Sequence, residues 1–370
     1  MNILVTGSNG FIAKNLIQFL SEQQEVNILS FNRQSSDEDL ADAVKKADWI
    51  VHLAGVNRPL NEQEFIEGNV SLTQKIANLL EESNKKIPII LSSSIQAERD
   101  NAYGQSKLGG EQVLLELQQS NGNPVYIYRL ANVFGKWSRP NYNSAVATFC
   151  QNIANDLPIQ IYDSEANIRL VYIDDVVETF WRMIQGGYTP DQYFLIDPEY
   201  QITVGQLADT LQAFKNSRNT LTTLAVGTGL TRALYSTYLS FLKPNQFDYT
   251  VPKHGDERGV FVEMLKTPDA GQFSYFTAHP GITRGGHYHH SKTEKFLVIK
   301  GKALFKFKHI ITDEYYELET SGEEARIVET VPGWTHDITN IGDDEMVVML
   351  WANEIFDREK PDTYAMPITD

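Results

Sequence analysis

The chain has 370 residues, of which 42% are hydrophobic and 22% charged, so it is long enough for about two domains with buried cores. Its 32 basic and 48 acidic side chains give a formal net charge of −16, which argues against a nucleic acid or an anionic membrane as the main partner. The chain has 1 cysteine, Cys150, which excludes an intrachain disulfide and a thiolate metal cluster and fits a reducing compartment.

The chain opens with a predicted strand, Asn2–Thr6, that runs directly into a turn. It lacks the basic and then apolar stretches of a secretory signal, and no apolar run reaches the ~18 residues of a membrane span. We therefore expect a cytoplasmic protein without membrane insertion.

Up to about Leu242, short apolar strands alternate with helical patterns. The predicted strands are Asn2–Thr6 and residues 26–31, 49–54, 87–93 and 125–129, and helices are predicted from about residues 11, 39, 69 and 103. This alternation is typical of a doubly wound parallel sheet of the Rossmann type. Residues 217–231 are polar and weakly patterned, which we interpret as a mobile segment.

The pattern changes after residues 243–245. From about Gly259 onward, strand-like stretches are separated by Gly, Pro, Asp and Asn turns with little helical periodicity. They cover residues 294–299, 303–308, 315–318, 325–328 and 346–351. We predict an all-β jelly-roll barrel of about 110 residues there. The predicted domains are residues 1–243 and 254–370, joined by a linker at residues 244–253.

A glycine-rich turn joins the first strand to the first helix. Glycines let the backbone turn tightly and approach phosphates, and the first N–H groups of the helix can hold a pyrophosphate. The residues of this predicted site are Gly7, Asn9, Gly10, Phe11 and Ile12, followed by the small Ala13. Because the match ends the first strand of a βαβ unit, it favours a dinucleotide site over an ordinary glycine turn.

Residues at the ends of the second and third predicted strands indicate which cofactor binds and where it lies. Arg33 offers a cation for a 2′-phosphate where an NADH site often has an acidic residue, so we expect NADPH, although nearby acidic residues keep NADH open. Leu53, Ala54 and Gly55 leave room for the cofactor across the third strand. His52, within that strand, is interpreted as a core histidine.

The spacing Tyr-x-x-x-Lys is typical of hydride-transfer sites, but it occurs three times in this chain, at Tyr103/Lys107, Tyr249/Lys253 and Tyr288/Lys292. The spacing alone therefore identifies no site, and the surrounding elements must decide. Tyr103 alone begins a helix shortly after a strand that ends in serines, and Lys107 lies one turn later on the same face. Tyr103 would protonate a carbonyl oxygen, while Lys107 would lower the phenol pKa and bind the nicotinamide ribose. Ser94 is our choice to hold the carbonyl oxygen, with Ser93 next.

Asn69 opens a predicted helix after the third strand. It is interpreted either as support for a water linked to Lys107 or as a plain helix cap. The sequence leaves both open.

Residues 1 to about 242 resemble the extended short-chain dehydrogenase/reductases that act on nucleotide-activated sugars. The matching motifs in chain order are Gly7/Gly10/Ala13, Asp48, Leu53 to Gly55, Asn69, Ser94, Tyr103/Lys107 and residues 129–135 and 172–176. The resemblance implies that Asn132 and residues 136–143, with Arg139 and Asn143, face the nucleotide sugar. Ile95 and Gln96 stand where the sugar dehydratases carry an acidic pair, which disfavours dehydration.

The second domain contains a metal-ligand pattern. His287, His289 and Glu294, between Gly281 and Gly301, resemble the first cupin motif, and the two histidines at i and i+2 on a strand point to one face. His336 takes the ligand position of a second cupin motif in residues 332–340, where the proline stands one residue closer to the glycine than usual.

Three histidines and one glutamate suit Zn²⁺, although Mn, Fe or Ni fit the same ligands. The alternative is a set of solvated or packing histidines. His279, His290 and His309 are assigned to that alternative or left open.

A keto-sugar reductase joined to a cupin resembles the pathways in which cupin-type enzymes epimerise 4-keto-6-deoxysugars. The C4 ketone acidifies the hydrogen on C3, so a base can remove it and an acid can return a proton at the other face. Reduction at C4 removes that acidity, so epimerisation must come first. The metal would polarise the keto oxygen or brace the barrel, and the base is unassigned.

The whole chain resembles the CapF-type capsular polysaccharide enzymes, on residues 91–96, 139–144, 234–240 and 295–298. The resemblance implies C3 epimerisation of a UDP-2-acetamido-2,6-dideoxy-hexos-4-ulose (UDP-2-acetamido-2,6-β-L-arabino-hexul-4-ose) in the cupin domain. NADPH-dependent C4 reduction to UDP-2-acetamido-2,6-dideoxy-β-L-talose would follow, towards UDP-N-acetyl-L-fucosamine. It also implies a homodimer. The alternatives are a single-activity nucleotide-sugar 4-reductase or 4-epimerase with a structural or sugar-binding cupin, and an NADPH-sensing scaffold protein.

Overall fold

The computed structural model describes the chain except for residues 60, 62, 187–192, 253, 257–258, 262–263, 266, 268–270, 355–356, 358 and 370. Lys253, which closes the predicted linker and one of the Tyr-x-x-x-Lys patterns, lies outside the described residues. The chain forms two compact units, one made of Met1–Ser144 and Asn167–Ile202 and the other of Ala145–Ala166 and Thr203–Asp370.

Helices occur mainly before residue 240. In chain order they are α1 (Phe11–Ser21), α2 (Asp37–Lys46), α3 (Gln63–Ile66), α4 (Leu72–Glu82), α5 (Ala102–Asn121), α6 (Ala145–Ala154), α7 (Ile173–Ile184), α8 (Val204–Thr220) and α9 (Gly229–Leu239). A π-helical turn covers Glu67–Ser71, and 3-10 turns cover Ile95–Glu98 and Pro244–Gln246.

The strands of the first unit are β1 (Asn2–Thr6), β2 (Asn27–Phe31), β3 (Trp49–His52), β4 (Ile89–Ser94), β5 (Val125–Leu130), β6 (Asn132–Phe134), β7 (Asn167–Tyr172) and β8 (Tyr200–Thr203). Those that follow are β9 (Asp248–Thr250), β10 (His254–Asp256), β11 (Gly259–Phe261), β12 (Gln272–Ala278), β13 (Thr283–Tyr288), β14 (Glu294–Lys300), β15 (Lys302–His309), β16 (Tyr315–Ser321), β17 (Arg326–Glu329), β18 (Trp334–Asn340), β19 (Met346–Ala352) and β20 (Tyr364–Ala365).

The first unit is built on a parallel sheet of order β2-β1-β3-β4-β5. Its central strands are covered on both faces, and every residue of β4 is buried, as expected for parallel strands between helices. Ile76 of α4 and Leu114 of α5 pack into the same core as Ile50 and Ile89. The predicted Rossmann-type α/β fold is confirmed.

A side-chain cap and a close backbone contact fix the residue at which α5 begins. Asn101 caps the helix, because its side-chain oxygen accepts a hydrogen bond from the N–H of Gly104 at 2.8 Å. A Cβ at Gly104 would lie 2.2 Å from the carbonyl oxygen of Gln96, so only glycine allows this close packing on the preceding turn. Tyr103 is thereby held in the first helical turn.

The second unit contains two antiparallel sheets, of order β12-β19-β14-β17-β9 and β16-β15-β18-β13-β20, and the hairpin β10-β11. Phe296, Phe305 and Phe307 are buried between the strands. The predicted all-β barrel is confirmed in this part of the chain.

Helices α6, α8 and α9 pack against one another and belong to the second unit. The predicted boundaries at residues 243 and 254 therefore differ from the division into compact units, and as domain limits they stay a prediction. Within residues 217–231, α8 extends to Thr220, α9 begins at Gly229, and Ser217 and Val226 are buried, while the mobility of this segment stays a prediction.

Among the described residues, no helix is both long enough and apolar enough to span a membrane.

Candidate active site and metal centre

The carboxyl ends of β1, β3 and β4 lie side by side, because these strands are parallel neighbours. Thr6 pairs with His52, and His52 pairs with Leu91. The loops after these strands meet at one edge of the sheet, the place where doubly wound folds bind ligands. Most of the predicted cofactor residues lie here. Gly7, Asn9 and Gly10 follow β1, Phe11 and Ile12 begin α1, Arg33 follows β2, and Leu53, Ala54 and Gly55 follow β3.

The turn after β1 permits a close approach of its backbone to a ligand. Gly7 has a φ of 66°, and a Cβ there would lie 2.7 Å from the Cα of Ala54. Gly10 precedes α1, and within the described part of the chain no side chain caps that helix end. Ala13 is buried, so the helix packs closely on the sheet. A dinucleotide pyrophosphate fits the uncapped N–H groups of this turn.

His52 is a core histidine. Its Nδ1 lies 2.6 Å from the hydroxyl of Thr6 and its Nε2 lies 2.9 Å from the hydroxyl of Thr73. Burial, together with the nearby charge of Lys107, lowers the pKa of His52 to about 3, so the ring is neutral. The Thr6 hydroxyl also accepts the N–H of Leu53 at 3.2 Å, which fixes the loop after β3.

Arg33 lies exposed just beyond β2. The neighbouring Asn32 forms the turn, because its side-chain oxygen accepts the N–H of Gln34 at 2.9 Å. Arg33 therefore stands at the edge of the sheet where the adenosine ribose of a dinucleotide would end.

Ser94, Tyr103 and Lys107 come together at the end of β4. The Ser94 hydroxyl lies close enough to the phenol of Tyr103 to lower its pKa, against the effect of burial. One turn along α5, the Lys107 ammonium donates to the carbonyl oxygen of Ser92 at 2.8 Å. The three side chains thus lie at the carboxyl edge of the sheet, next to the loop after β3, where the Lys107 Nζ is 3.5 Å from the position of a Cβ at Gly55.

The three serines of β4 have different partners. The Ser92 hydroxyl donates to a backbone oxygen of β3 at 3.4 Å, and that of Ser93 donates to the carboxylate of Glu111. Among the three, only Ser94 influences the pKa of the Tyr103 phenol, and its hydroxyl accepts the N–H of Gln96 at 3.1 Å. Of the two serines considered, the geometry favours Ser94.

Burial sets the charges of the two catalytic candidates on α5. It raises the pKa of Tyr103 above its ordinary value, although the nearby Ser94 hydroxyl acts in the opposite direction. It lowers the pKa of Lys107 to about 8, while the charge of Glu111 raises it. The phenol is therefore protonated at neutral pH and can donate a proton.

Asn69 does not cap α4, whose N-cap is Ser71, and its link to Lys107 through a water stays a prediction. It is buried in the π-helical turn, where its side-chain oxygen accepts the N–H of Val56 at 2.8 Å and its amide donates to the Ser106 hydroxyl at 2.9 Å. Asn69 thus ties the loop after β3 to α5. A Cβ at Gly55 would lie 2.8 Å from its oxygen and 3.5 Å from the Lys107 Nζ, so Asn69 remains close to the site.

Glu111 is a residue that the sequence patterns missed. It lies one turn after Lys107 with a side chain that is 0% exposed, and Arg129 of β5 donates to its two oxygens at 3.0 and 2.7 Å. Together with the Ser93 hydrogen bond, this buried pair fixes α5 against β4 and β5. Its spacing of four from Lys107 was visible, but its partner on a later strand was not.

Part of the predicted substrate segment, from Arg139 to Asn143, forms one cluster of side chains with Arg58. Arg139 lies 5.0 Å from the ring centre of Tyr142, and Asn143 accepts a hydrogen bond from Arg58 at 2.8 Å. Arg58 also lies over the Tyr142 ring, at 5.7 Å, and sequence patterns did not single it out.

Two further members of the predicted segment also contact protein groups, and the substrate role of the exposed Asn132 stays a prediction. The Asn132 amide donates to the carbonyl oxygen of Arg169 at 2.9 Å. Lys136 is 1% exposed and its ammonium lies 2.7 Å from a carboxylate oxygen of Asp174. The Lys136 side chain therefore braces the loop rather than facing a ligand.

His287, His289, Glu294 and His336 form a compact group in the second unit. Each offers a ligand atom, and these atoms all lie within 4.8 Å of one another. His287 is the last residue but one of β13, Glu294 begins β14, and His336 comes from β18. Three imidazoles and one carboxylate are a ligand set that fits a divalent transition metal, Zn²⁺ in particular.

Within this group the glutamate lies at the centre. The Nε2 atoms of His289 and His336 lie 3.2 and 3.5 Å from the same carboxylate oxygen of Glu294. Burial opposes the charge of Glu294, but the two imidazoles hold its pKa well below the ordinary value. Burial lowers the pKa of His287 to about 4, so this ring is neutral and has a lone pair to offer.

Three other histidines of this unit, His279, His290 and His309, lie outside the group. His279 is exposed, and the His309 ring nitrogen accepts backbone N–H groups of its own turn at 3.2 and 3.1 Å. His290 packs against Tyr364 at a ring distance of 4.8 Å. The other Tyr-x-x-x-Lys tyrosines also belong to this unit, where Tyr249 accepts a hydrogen bond from Lys295 and Tyr288 stacks on Tyr364.

Two described families match the chain. The NAD dependent epimerase/dehydratase family matches residues 3–195, and the polysaccharide biosynthesis C-terminal domain matches residues 254–364. A UDP-2-acetamido-2,6-beta-L-arabino-hexul-4-ose reductase of Pseudomonas aeruginosa is 60% identical over 368 residues, which cover 100% of this chain and 99% of that protein.

Solved structures agree with these matches. The capsular polysaccharide assembling protein CapF of Staphylococcus aureus has a TM-score of 0.69 and 45% identity, with 100% of both chains covered. A UDP-glucuronic acid 4-epimerase of Bacillus cereus has a TM-score of 0.54 at 19% identity, over 58% of this chain and 84% of that one. The latter likeness shows the shared fold of the N-terminal part.

Replacing Glu111 with Ala should destabilise the first unit, because Ser93 and Arg129 would lose the buried carboxylate that they share and Arg129 would keep only its ion pair with Glu98. We expect a loss of about 3 kcal/mol in the free energy of unfolding, measured by urea denaturation. Glu116→Ala, on the exposed side of the same helix, is the matched control and should cost less than about 0.5 kcal/mol. Equal losses in the two variants would contradict a structural role of the buried pair.

Replacing His336 with Ala should remove bound metal, since one of the four donors is lost. Loss of a residue that only hydrogen-bonds to a ligand weakens metal binding roughly 10–100-fold. Loss of a ligand itself should weaken it more, which we expect to see as reduced metal content after gel filtration. His279→Ala is the control, because His279 is exposed and lies outside the ligand group. Unchanged metal content in His336→Ala would remove this residue from the ligand set.

Proposed function

Because the chain belongs to the NAD dependent epimerase/dehydratase family and, over its whole length, to the CapF-type capsular polysaccharide enzymes, we propose that it is a bifunctional enzyme of surface polysaccharide synthesis. Its substrate is UDP-2-acetamido-2,6-β-L-arabino-hexul-4-ose. The cupin domain inverts C3 of this sugar, and the dehydrogenase domain then reduces C4 to give UDP-2-acetamido-2,6-dideoxy-β-L-talose, towards UDP-N-acetyl-L-fucosamine.

The observation that carries the reductase proposal is the meeting of Ser94, Tyr103 and Lys107 at the carboxyl edge of the sheet, the edge that also carries the turn at Gly7 and Gly10. The predicted dinucleotide residues surround that turn, and a bound nicotinamide cofactor supplies hydride. The Ser94 hydroxyl donates to the C4 carbonyl oxygen and orients it. Tyr103 gives its phenol proton to that oxygen as the negative charge develops.

Lys107 supports the phenol in this reaction. Its ammonium lowers the energy of the phenolate that remains after proton transfer and donates hydrogen bonds to the nicotinamide ribose. The Ser92 carbonyl holds it in place, and Glu111 keeps it charged in a buried position. Arg139 and Asn143, with Arg58 and Tyr142, are suited to bind the nucleotide part of the sugar.

The epimerase proposal rests on the group of His287, His289, Glu294 and His336. These residues would hold a divalent metal, Zn²⁺ by the nature of the ligands, which polarises a keto oxygen or braces the barrel. The C3 hydrogen is acidic only while C4 is a ketone. Removal of the C3 proton and its return at the opposite face therefore precede reduction, which ends the exchange.

We also propose NADPH as the cofactor, a homodimer and a cytoplasmic location. Arg33 supports the first, and the likeness to CapF-type enzymes supports the second. The 1 cysteine of the chain, Cys150, is buried and free, as suits a reducing compartment.

Giving the purified protein the 4-keto sugar nucleotide in D₂O tests both activities. We expect oxidation of NADPH, followed by absorbance, and deuterium at C3 of the product, detected by mass spectrometry and NMR. Tyr103→Phe should slow reduction by roughly 10²–10⁴-fold, because the acid is lost, while exchange at C3 continues.

Tyr162→Phe is the matched control, since Tyr162 is 88% exposed and outside the site. Reduction without deuterium at C3 would refute the epimerase and leave a single-activity reductase. Loss of exchange together with reduction in Tyr103→Phe would contradict two separable sites. Unchanged reduction in that variant would remove Tyr103 as the acid.

Arg33→Ala should weaken NADPH binding more than NADH binding, because only NADPH carries the 2′-phosphate. We expect the dissociation constant for NADPH to rise roughly tenfold and that for NADH to change little, by fluorescence titration. Arg182→Ala on the exposed face of α7 is the control. Equal changes for the two cofactors would mean that Arg33 does not select NADPH.

A further inference from the structure

Residues 362–366, which we call the strap, lie against the metal-ligand group although they are far from it in the sequence. Within the strap, β20 pairs with β13, so that Ala365 lies opposite His287. The N–H of Met366 donates to the carbonyl oxygen of Gly286 at 2.8 Å, and its own carbonyl oxygen accepts the Thr335 hydroxyl at 2.5 Å. The strap therefore touches residues beside two of the ligands, on two different strands.

Asp362 makes the largest number of these contacts. Its carboxylate accepts the backbone N–H groups of His290, Ser291 and Lys292 at 2.9, 2.9 and 2.7 Å. It also accepts the Ser291 hydroxyl at 3.1 Å. Three successive N–H groups on one carboxylate fix the turn that joins His289 to Glu294.

The backbone of Asp362 reaches a ligand itself. Its carbonyl oxygen lies 2.6 Å from the Nδ1 of His289. A carbonyl oxygen can only accept, so Nδ1 must carry the proton in this bond. The Nε2 of the same ring then points to Glu294, at 3.2 Å from its carboxylate oxygen. The contact thus determines which nitrogen of His289 faces the metal position.

The conformation of Asp362 is unusual and suits this role. Its φ is 34°, a positive value that aspartate and asparagine tolerate better than most other residues. In this conformation one residue presents its carboxylate to the 290–292 turn and its carbonyl to His289. An alanine there would lose the carboxylate bonds and favour a different backbone angle.

We propose that Asp362 is a positioning residue of the metal centre, which it holds ready for the ion by fixing the ring of His289 and the turn that follows it. This inference rests on the proposed metal-binding role of the four ligands. Asp362 is not itself a ligand, since the carboxylate is engaged with backbone N–H groups. Replacing a residue that hydrogen-bonds to a ligating histidine in this way typically weakens metal binding by roughly 10–100-fold.

The test is the Zn²⁺ affinity of metal-free protein, measured by competition with a chromophoric chelator. Asp362→Ala should bind Zn²⁺ roughly 10–100-fold more weakly than the unchanged chain, with the same NADPH affinity. Asp362→Asn should recover part of the loss, because its amide oxygen can accept N–H bonds and asparagine adopts the same backbone. Asp343→Ala, an exposed carboxylate of the same unit, is the control and should bind like the unchanged chain.

A second measurement does not need the metal. In metal-free protein labelled with ¹⁵N-histidine, the Nδ1 proton of His289 should exchange slowly with water, and Asp362→Ala should make it exchange fast. Unchanged Zn²⁺ affinity and slow exchange in Asp362→Ala would overturn the inference. If the unchanged chain binds no Zn²⁺ at all, the proposed metal centre fails, while the Nδ1 exchange still decides whether Asp362 holds the ring.

Discussion

The position of helix α5 against the parallel sheet is the constraint on which the reductase site depends. Tyr103 and Lys107 must meet Ser94 at the end of β4, so an error of one residue in the start of the helix would turn both side chains away. The Asn101 cap sets that start, and the buried pair of Glu111 and Arg129 holds the helix further along. Local capping and long-range ion pairing therefore act on the same helix.

The two sites each contain a buried charged group, but the surroundings of the two groups act on their charges in opposite ways. Lys107 is a buried cation near Glu111, and burial has brought its pKa down to about 8, so its charge is available but not fixed at alkaline pH. Glu294 is a buried anion surrounded by imidazoles that keep it charged. A proton-transfer site benefits from a group that can change its charge, whereas a metal site needs a permanent negative ligand.

Much of this arrangement could be predicted from the sequence, because the decisive spacings are local. The strand–turn–helix around Gly7 and Gly10, the interval of four between Tyr103 and Lys107, and the alternation of His287 and His289 each lie within a few residues. The preference for Ser94 over Ser93 had no support in any local spacing, since it depends on which face of β4 meets α5 and Glu111. The contact of Asp362 with His289 joins residues 73 apart in the sequence, which no local pattern reveals.

Fusion of the two sites in one chain follows from the chemistry of the intermediate. The epimerised sugar remains a 4-ketone, so its C3 centre can lose its configuration again until reduction occurs. A second active site on the same chain raises the effective concentration of reductase around each released intermediate without any new contact. Each site is built from residues of its own compact unit, with Ser94, Tyr103 and Lys107 in one and the four ligands in the other. The chain can therefore couple two reactions in order while each unit keeps a complete set of functional groups.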